Sequence, residues 1–319
     1  MARVKLIRGA RQLLTLRGPG GPRRGADLRS LAIIQDGAVL IADGWIVEVG
    51  PSRRLENLAL ARQAEVIDAS GCVVMPGFVD SDVPLIRNAQ DLSPRALKTL
   101  ALHRIEDAIR CGTTAIEATS GPGLTEAGAL KVLRIHAALR ELPLTLVSTL
   151  VTSDEHLLAM PRIRRLADFV EICRDDTALL GQALQLGWSV KPRDVIALNP
   201  VQPFLANEPY PDARALIDSG AAVALTSGAN TQTAIALACR AMNMTPAEAV
   251  AASTINGAHA IGRARSVGSI EAGKSADLTI LGLPDYRELP YHLGVNLVNL
   301  VMIRGSVRVE RSEVKWPDR

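Results

Sequence analysis

The sequence predicts an α/β protein in which a middle of alternating strands and helices is flanked by two β-rich ends that join in one small sandwich. Three observations carry this. Hydrophobic residues make up 48% of the 319 residues but aromatics only 3%. The core is therefore built from Leu, Val, Ile and Ala, which suits parallel strands buried on both faces. The first 75 residues punctuate short apolar runs with Asp-Gly and Pro/Gly signals, as the strands of a sandwich do. From about residue 76 the apolar runs alternate with segments of helical periodicity, the pattern of right-handed βαβ units.

A strand opens at Val4–Ile7, and Gly18 to Gly25 is a Pro/Gly/Arg-rich loop. Leu31–Ile34 and Ala38–Ile41 flank Asp36-Gly37, a hairpin signal. Asp43-Gly44 then leads into Trp45–Gly50, and strands at Val66–Ala69 and Cys72–Met75 complete the N-terminal set. Ser93-Pro94 joins an N-cap serine to a proline at the first helical position. It predicts a helix to about Arg110, with Leu97, Leu100, Leu102, Ile105 and Ile109 at helical spacing. Strands follow at Thr113–Ala118, Leu144–Val151, Ala167–Ile172, Val195–Leu198 and Ala222–Leu225. Helices are read over Thr125–Leu142, Thr177–Gly187, Tyr210–Ser219, Thr233–Asn243 and Thr245–Ala260. Val267–Ile270, Gly273–Leu281, Asn296–Arg304 and Ser306–Glu310 return to strands.

Net charge is +3, with both signs interspersed. No basic stripe with interleaved aromatics appears, so nucleic acid is not an expected partner. Cys72, Cys111, Cys173 and Cys239 form no CxxC pair, which argues against a zinc knuckle or a redox motif. Reduced thiols and a cytoplasmic location are the plain reading. The basic, partly apolar segment Met1 to Leu16 lacks an apolar core followed by a cleavage site, so it does not read as a signal peptide. No run of 18 apolar residues exists, so no membrane span is expected.

The most telling stretch is Pro76-Gly77-Phe78-Val79-Asp80-Ser81-Asp82-Val83-Pro84-Leu85, a buried strand leaving a Pro-Gly step. Further runs stand in order along the chain: Gly44 to Gly50, Gly112-Thr113-Thr114 through Ser120-Gly121-Pro122-Gly123-Leu124, Glu208-Pro209-Tyr210-Pro211, and Met244 to Ala249. Gly273-Lys274-Ser275-Ala276-Asp277-Leu278 and Pro284 to Asn296 close the series. On these runs the chain resembles the imidazolonepropionases of the metal-dependent amidohydrolase superfamily. The Gly273–Leu278 element is shared across the superfamily, whereas the Tyr291-His292-Leu293-Gly294-Val295-Asn296 run points to the narrower family. The resemblance implies a distorted TIM-like β/α barrel over 76–261 and a composite β-sandwich from 1–75 and 262–319. It also implies a hydrolase that opens a cyclic imidazolone ring, a zinc or iron ion, and a homodimer. Barrel sites lie at the C-terminal strand ends.

Position by position, this chain departs from what the resemblance implies. The first metal-ligand pair, His-x-His, falls on Asp82 and Pro84, and proline carries no side-chain donor. The metal-binding aspartate falls on Gly228, beside Asn230. A substrate-contacting histidine is replaced by Asp154, and a tyrosine by Pro122. Glu117 matches a family position, but the lysine expected two residues on is Thr119, so a buried hydrogen bond competes with catalysis as its role. Near Val190 the expected metal histidine is Pro192 or Arg193. A unit of a few dozen residues is missing before Val195, which leaves the barrel incomplete or irregular there.

Of five histidines, His103 and His136 read as ordinary surface or core residues. His259 lies at a helix C-terminus, where an imidazolium complements the dipole. His292 reads as a sandwich or interface residue. His156 stands near a strand end and is a candidate site residue. Asp82, Asp154 and Asp194 could together bind a hard cation such as Mg or Ca; solvated carboxylates are the plainer reading. The expected protein keeps the fold, lacks the metal site and carries no cofactor, a pseudoenzyme with a ligand-binding or scaffold role. A small molecule in the remnant pocket is the expected partner. The alternative is an active hydrolase of C–N bonds in cyclic amides, using Asp82, Asp154, Glu117 or His156.

Overall fold

The computed structural model describes residues 3–86, 92–173, 176–228, 230–310 and 313–314. Strands β1 (Val4–Leu14), β2 (Ile33–Ala42) and β3 (Trp45–Pro51) lead through the single turn α1 (Ser52–Leu55) to β4 (Glu65–Asp68) and β5 (Val73–Pro76). The middle runs β6 (Phe78–Val83), α2 (Pro94–Arg110), β7 (Thr113–Thr119), α3 (Glu126–Leu139) and β8 (Thr145–Thr152). Then come α4 (Glu155–Leu158), α5 (Pro161–Arg164), β9 (Phe169–Ile172), α6 (Thr177–Gln185), β10 (Val195–Leu198), α7 (Val201–Ala206) and α8 (Ala213–Asp218). After β11 (Ala222–Leu225) follow α9 (Thr231–Ala241), α10 (Pro246–Ala252) and α11 (Ile255–Ala260). The tail is β12 (Leu278–Leu281), β13 (Val298–Ile303), β14 (Ser306–Glu310) and β15 (Glu313–Val314).

Strands from both chain ends share one nine-stranded sheet, ordered β15-β14-β13-β12-β5-β1-β2-β3, with β4 beside β1. The junction is β12 on β5, antiparallel, with Leu278 opposite Pro76 and Leu281 opposite Val73. Ile7, Leu13, Val39, Val74, Ile280 and Met302 pack into one cluster from the inner faces of five of these strands, as in a sandwich. Asp36-Gly37 does not reverse the chain: β2 runs straight through it. Asp36 takes a φ of +46°, near the point where the β1–β2 register slips between Ile7 and Ala10. The dipeptide thus serves an irregularity in the ladder. The hairpin falls at Asp43-Gly44, with φ of +50° and +86° and Ala42 opposite Trp45. Two positive φ values match the turn that follows the right-handed twist of the strands.

The middle forms a curled parallel sheet. β6, β7, β8 and β9 pair in order, and β10 pairs with β11. Val190 adds an isolated parallel bridge to Val170 of β9. On one side the two groups meet through Asp80 of β6, which binds residues just past β11. On the other side, among the described residues, β10 pairs only with β11. Its Ile196 is 41% exposed, whereas a strand inside a closed barrel is covered on both faces. A TIM-like curl with an open seam beside β10 results.

Helix α2 starts where Ser93-Pro94 predicts, with the Ser93 hydroxyl accepting from Ala96 N. Thr245 and Glu248 form a reciprocal capping box on α10. The single helix expected over 245–260 is broken at Ser253-Thr254. Their hydroxyls turn back onto Ala249 O and Val250 O, and Ser253 O accepts from Val79 N at 2.8 Å. Side-chain back-bonding and capture of a helix carbonyl by β6 together end the first helix.

Candidate ligand site at the strand ends

The C-terminal strand ends open on a cavity of about 930 Å³ that Asp82, Pro84, Thr119, Pro122, Glu171, Gly228 and Asn230 help to line. A second cavity of about 410 Å³ follows the seam. It shares Asp82 and Glu171 with the first and adds Lys191, Pro192 and Arg193. The structure therefore brings Asp82, Pro84, Pro122 and Gly228 to one mouth, although the sequence spreads them over 147 positions.

Local chemistry explains the placement. Gly77 joins β5 to β6, and a Cβ there would fall 2.2 Å from Thr114. Only glycine lets the chain pass so close to β7. Beyond it, Asp80 is 1% exposed. Its Oδ1 accepts from the Thr226 hydroxyl and Ser227 N, both at 2.8 Å. Its Oδ2 accepts from the Ser227 hydroxyl at 2.6 Å and Gly228 N at 3.0 Å. Burial raises this carboxyl's pKa, and the four donors oppose that rise. Two residues on, Asp82 adopts a left-handed φ of +61°, tolerable for aspartate but uncommon.

The Asp82 amide donates to Glu117 Oε2 at 2.9 Å. Glu117 is fully buried and also accepts from the Thr149 hydroxyl at 2.6 Å. Lys191 Nζ lies 3.0 Å from Glu117 Oε2 and 3.0 Å from Glu171 Oε2. Burial raises the Glu117 carboxyl. Amide, hydroxyl and ammonium all point to it as donors, so the ionised form is the one satisfied. Burial works against the Lys191 ammonium, but Glu117 and Glu171 outweigh it and its pKa is raised. Sequence reading did not single out Lys191 or Glu171. The signals were an acid inside the apolar run Phe169–Ile172 and a lysine directly after Val190.

Other candidates lie elsewhere. Asp154 caps α4, its carboxylate accepting from His156 N at 2.8 Å, so it serves backbone rather than the cavity. His156 is 69% exposed, stands 3.5 Å from Glu126, and borders a shallow surface depression beside Met160 and Pro161. Asp82, Asp154 and Asp194 do not converge: among the described residues no group of three or more His, Cys, Asp or Glu could hold a metal ion. His103 is exposed beside Glu106. His136 is fully buried, with Nδ1 2.9 Å from the Ser148 hydroxyl. His259 does end α11, but burial lowers its pKa, which works against the expected imidazolium. His292 is exposed after the turn Tyr286–Tyr291. None of the four cysteines is in a disulfide; burial pushes the Cys111 thiol up to about 11 and that of Cys239 to about 12. Among the described residues no helix is long and apolar enough to cross a membrane.

Comparison with known proteins agrees with this architecture. Solved structures share the fold. A triazine hydrolase variant superposes with a TM-score of 0.71 at 16% identity, covering 99% of this chain and 97% of its own. Guanine deaminase from E. coli gives 0.66 at 15%, covering 97% and 99%. Residues 196–308 match the family described as Amidohydrolase family. Imidazolonepropionase of Symbiobacterium thermophilum is 31% identical over 419 residues, covering 97% of this chain and 98% of the relative. That of Parabacteroides distasonis is 31% identical over 408, covering 95% and 98%. An alignment of 419 positions exceeds this 319-residue chain, so at least 100 of its positions are gaps here, inside a match that spans both proteins. The shortfall exceeds the few dozen residues expected from the sequence. On this identity and coverage, the chain is an imidazolonepropionase-like member of the amidohydrolase superfamily.

Proposed function

We propose that this chain is a non-hydrolytic relative of imidazolonepropionase, with the fold kept, the metal-ligand set lost and the mouth of the barrel retained as a small-molecule site. One observation carries the reading. Pro84 and Gly228, which offer no side-chain donor, line the same cavity as Asp82. A catalytic zinc-type centre takes three protein ligands and leaves a position for water. At this mouth the carboxylates are those of Asp82 and of Glu171, the latter already held by Lys191, and the other side-chain oxygens are neutral amides and hydroxyls such as that of Asn230, whose Oδ1 caps α9. None of the described residues lining either cavity is a histidine. This donor set does not fit a mononuclear metal centre. The purified protein, assayed for imidazolonepropionate ring opening with added zinc or iron, is expected to show no turnover above the uncatalysed rate. Turnover would overturn the reading.

A second reading is an altered hydrolase of C–N bonds in cyclic amides. It is favoured by Asp82 at the mouth and by the buried, upward-shifted Glu117 carboxyl. Under it, Asp82→Ala abolishes hydrolysis and leaves the unfolding midpoint in place; unchanged turnover rules that assignment out. A homodimer is proposed on either reading. It is supported by the exposed apolar side chains of Tyr291, Leu293 and Val295.

A further inference from the structure

We propose that this chain carries its own cation at the strand ends: the Lys191 ammonium stands in the place of a bound metal ion and balances the carboxylates that converge there. The inference rests on the reading above that the metal-ligand set is lost, and it names what replaced the ion.

Two acids from two strands hold one ammonium. Lys191 Nζ is 3.0 Å from Glu117 Oε2 of β7 and 3.0 Å from Glu171 Oε2 of β9. The same Glu117 oxygen accepts from the Asp82 amide at the end of β6 at 2.9 Å, so the ammonium lies one oxygen away from the first ligand position. Asp82 and Lys191 line one cavity. The lysine side chain is 12% exposed and that of Glu117 not at all, so water cannot do the balancing. A buried carboxylate without a counter-charge is strongly unfavourable. An enzyme of this architecture can meet that need with a metal. Here it is met from inside the chain, by a residue next to Val190, whose parallel bridge to Val170 continues the sheet past β9.

Two consequences are specific. Each carboxylate oxygen lies 3.0 Å from the nitrogen, a hydrogen-bond distance and longer than the roughly 2.0–2.6 Å of a metal–oxygen bond. Among the described residues no three-residue metal group competes with the ammonium for these oxygens. With Lys191 shortened, the Glu117 and Glu171 oxygens lose their counter-charge, and a small divalent cation is the probe for whether that deficit draws in an ion.

The test is a titration of wild type and Lys191→Ala with Mn²⁺, read by calorimetry and by the thermal unfolding midpoint. Wild type is expected to bind no Mn²⁺ and to keep its midpoint in Mn²⁺ and in EDTA. Lys191→Ala is expected to unfold at lower temperature, and to gain saturable Mn²⁺ binding that raises its midpoint. A folded Lys191→Ala that binds no Mn²⁺, or a wild type that binds it equally, overturns the proposal. Should Lys191→Ala fail to fold, the double variant Lys191→Ala/Glu117→Gln is expected to fold, since it removes both charges. A double variant that fails as badly overturns the proposal as well. Hydrolysis by wild type would instead overturn the reading of function, so the two failures are distinct.

Discussion

Asp80 sits inside the buried strand β6 and ties the first barrel strand to the last. Its four donors come from Thr226, Ser227 and Gly228. Asp80→Ala strands two hydroxyls and two amides, and the expected loss is about 3 kcal/mol or more, since each hydrogen bond to a charged group contributes roughly 1.5–3 kcal/mol. Urea denaturation measures it, and a loss below about 1 kcal/mol would contradict the assignment. His136 supplies a pH dependence. Burial, helped by Arg140, pushes its imidazole down to about 3, against about 6.5 in the unfolded chain. Between these values the unfolded state holds the proton, so the His136 contribution is complete above about pH 6.5 and is lost as pH falls toward 3. Wild-type stability should therefore fall across that window, and His136→Asn should flatten the slope; an unchanged slope would contradict it. Gly228 has a φ of +75° but open space around a built Cβ. Gly228→Asp should fold with a penalty of about 1–2 kcal/mol from the left-handed backbone, and a much larger penalty by the same denaturation would show that the site is tighter than described. Asp82, Pro84, Pro122 and Gly228 were legible because each sits in a recognisable run. Lys191 was not, because nothing in its neighbourhood says that it faces two acids on other strands.

At the level of elements, local chemistry was readable wherever it decided the outcome alone. Ser93-Pro94, Thr245-Pro246 and Asp43-Gly44 all punctuate the chain where their caps and turn geometry require. Asp36-Gly37 carries the same dipeptide as the true hairpin, yet pairing of the long β1 with β2 overrides it. The break at Ser253-Thr254 depends on Val79, a distant strand residue that no local window reveals. Strand β10 is the exposed consequence of the open seam. An apolar edge invites pairing with other chains, so Ile196→Lys should reduce aggregation in concentrated solution, followed by light scattering, without lowering the unfolding midpoint. A lowered midpoint would mean that Ile196 is covered.

Over the whole molecule, the sheet shared by both chain ends and the curled middle were legible because periodicity and composition change together near residue 76. The seam was legible only as a shortage of sequence, since a missing unit leaves no residues to read. The chain covers 98% of the Symbiobacterium relative while at least 100 of the 419 aligned positions are gaps in it. The fold thus survives a large internal deficit, with Asp80 holding one side of the curl and Lys191 the strand ends beside the seam. If the Tyr291–Val295 patch forms the dimer contact, Leu293→Glu should shift the sedimentation coefficient to that of a monomer; an unchanged value would place the contact elsewhere. The central claim, that a lysine and a donor-poor mouth replace a metal centre, is tested most directly by the metal content of the purified protein, measured by mass spectrometry after expression in zinc- and iron-supplemented medium. The account predicts neither metal in stoichiometric amount, and one equivalent of zinc or iron per chain would contradict it.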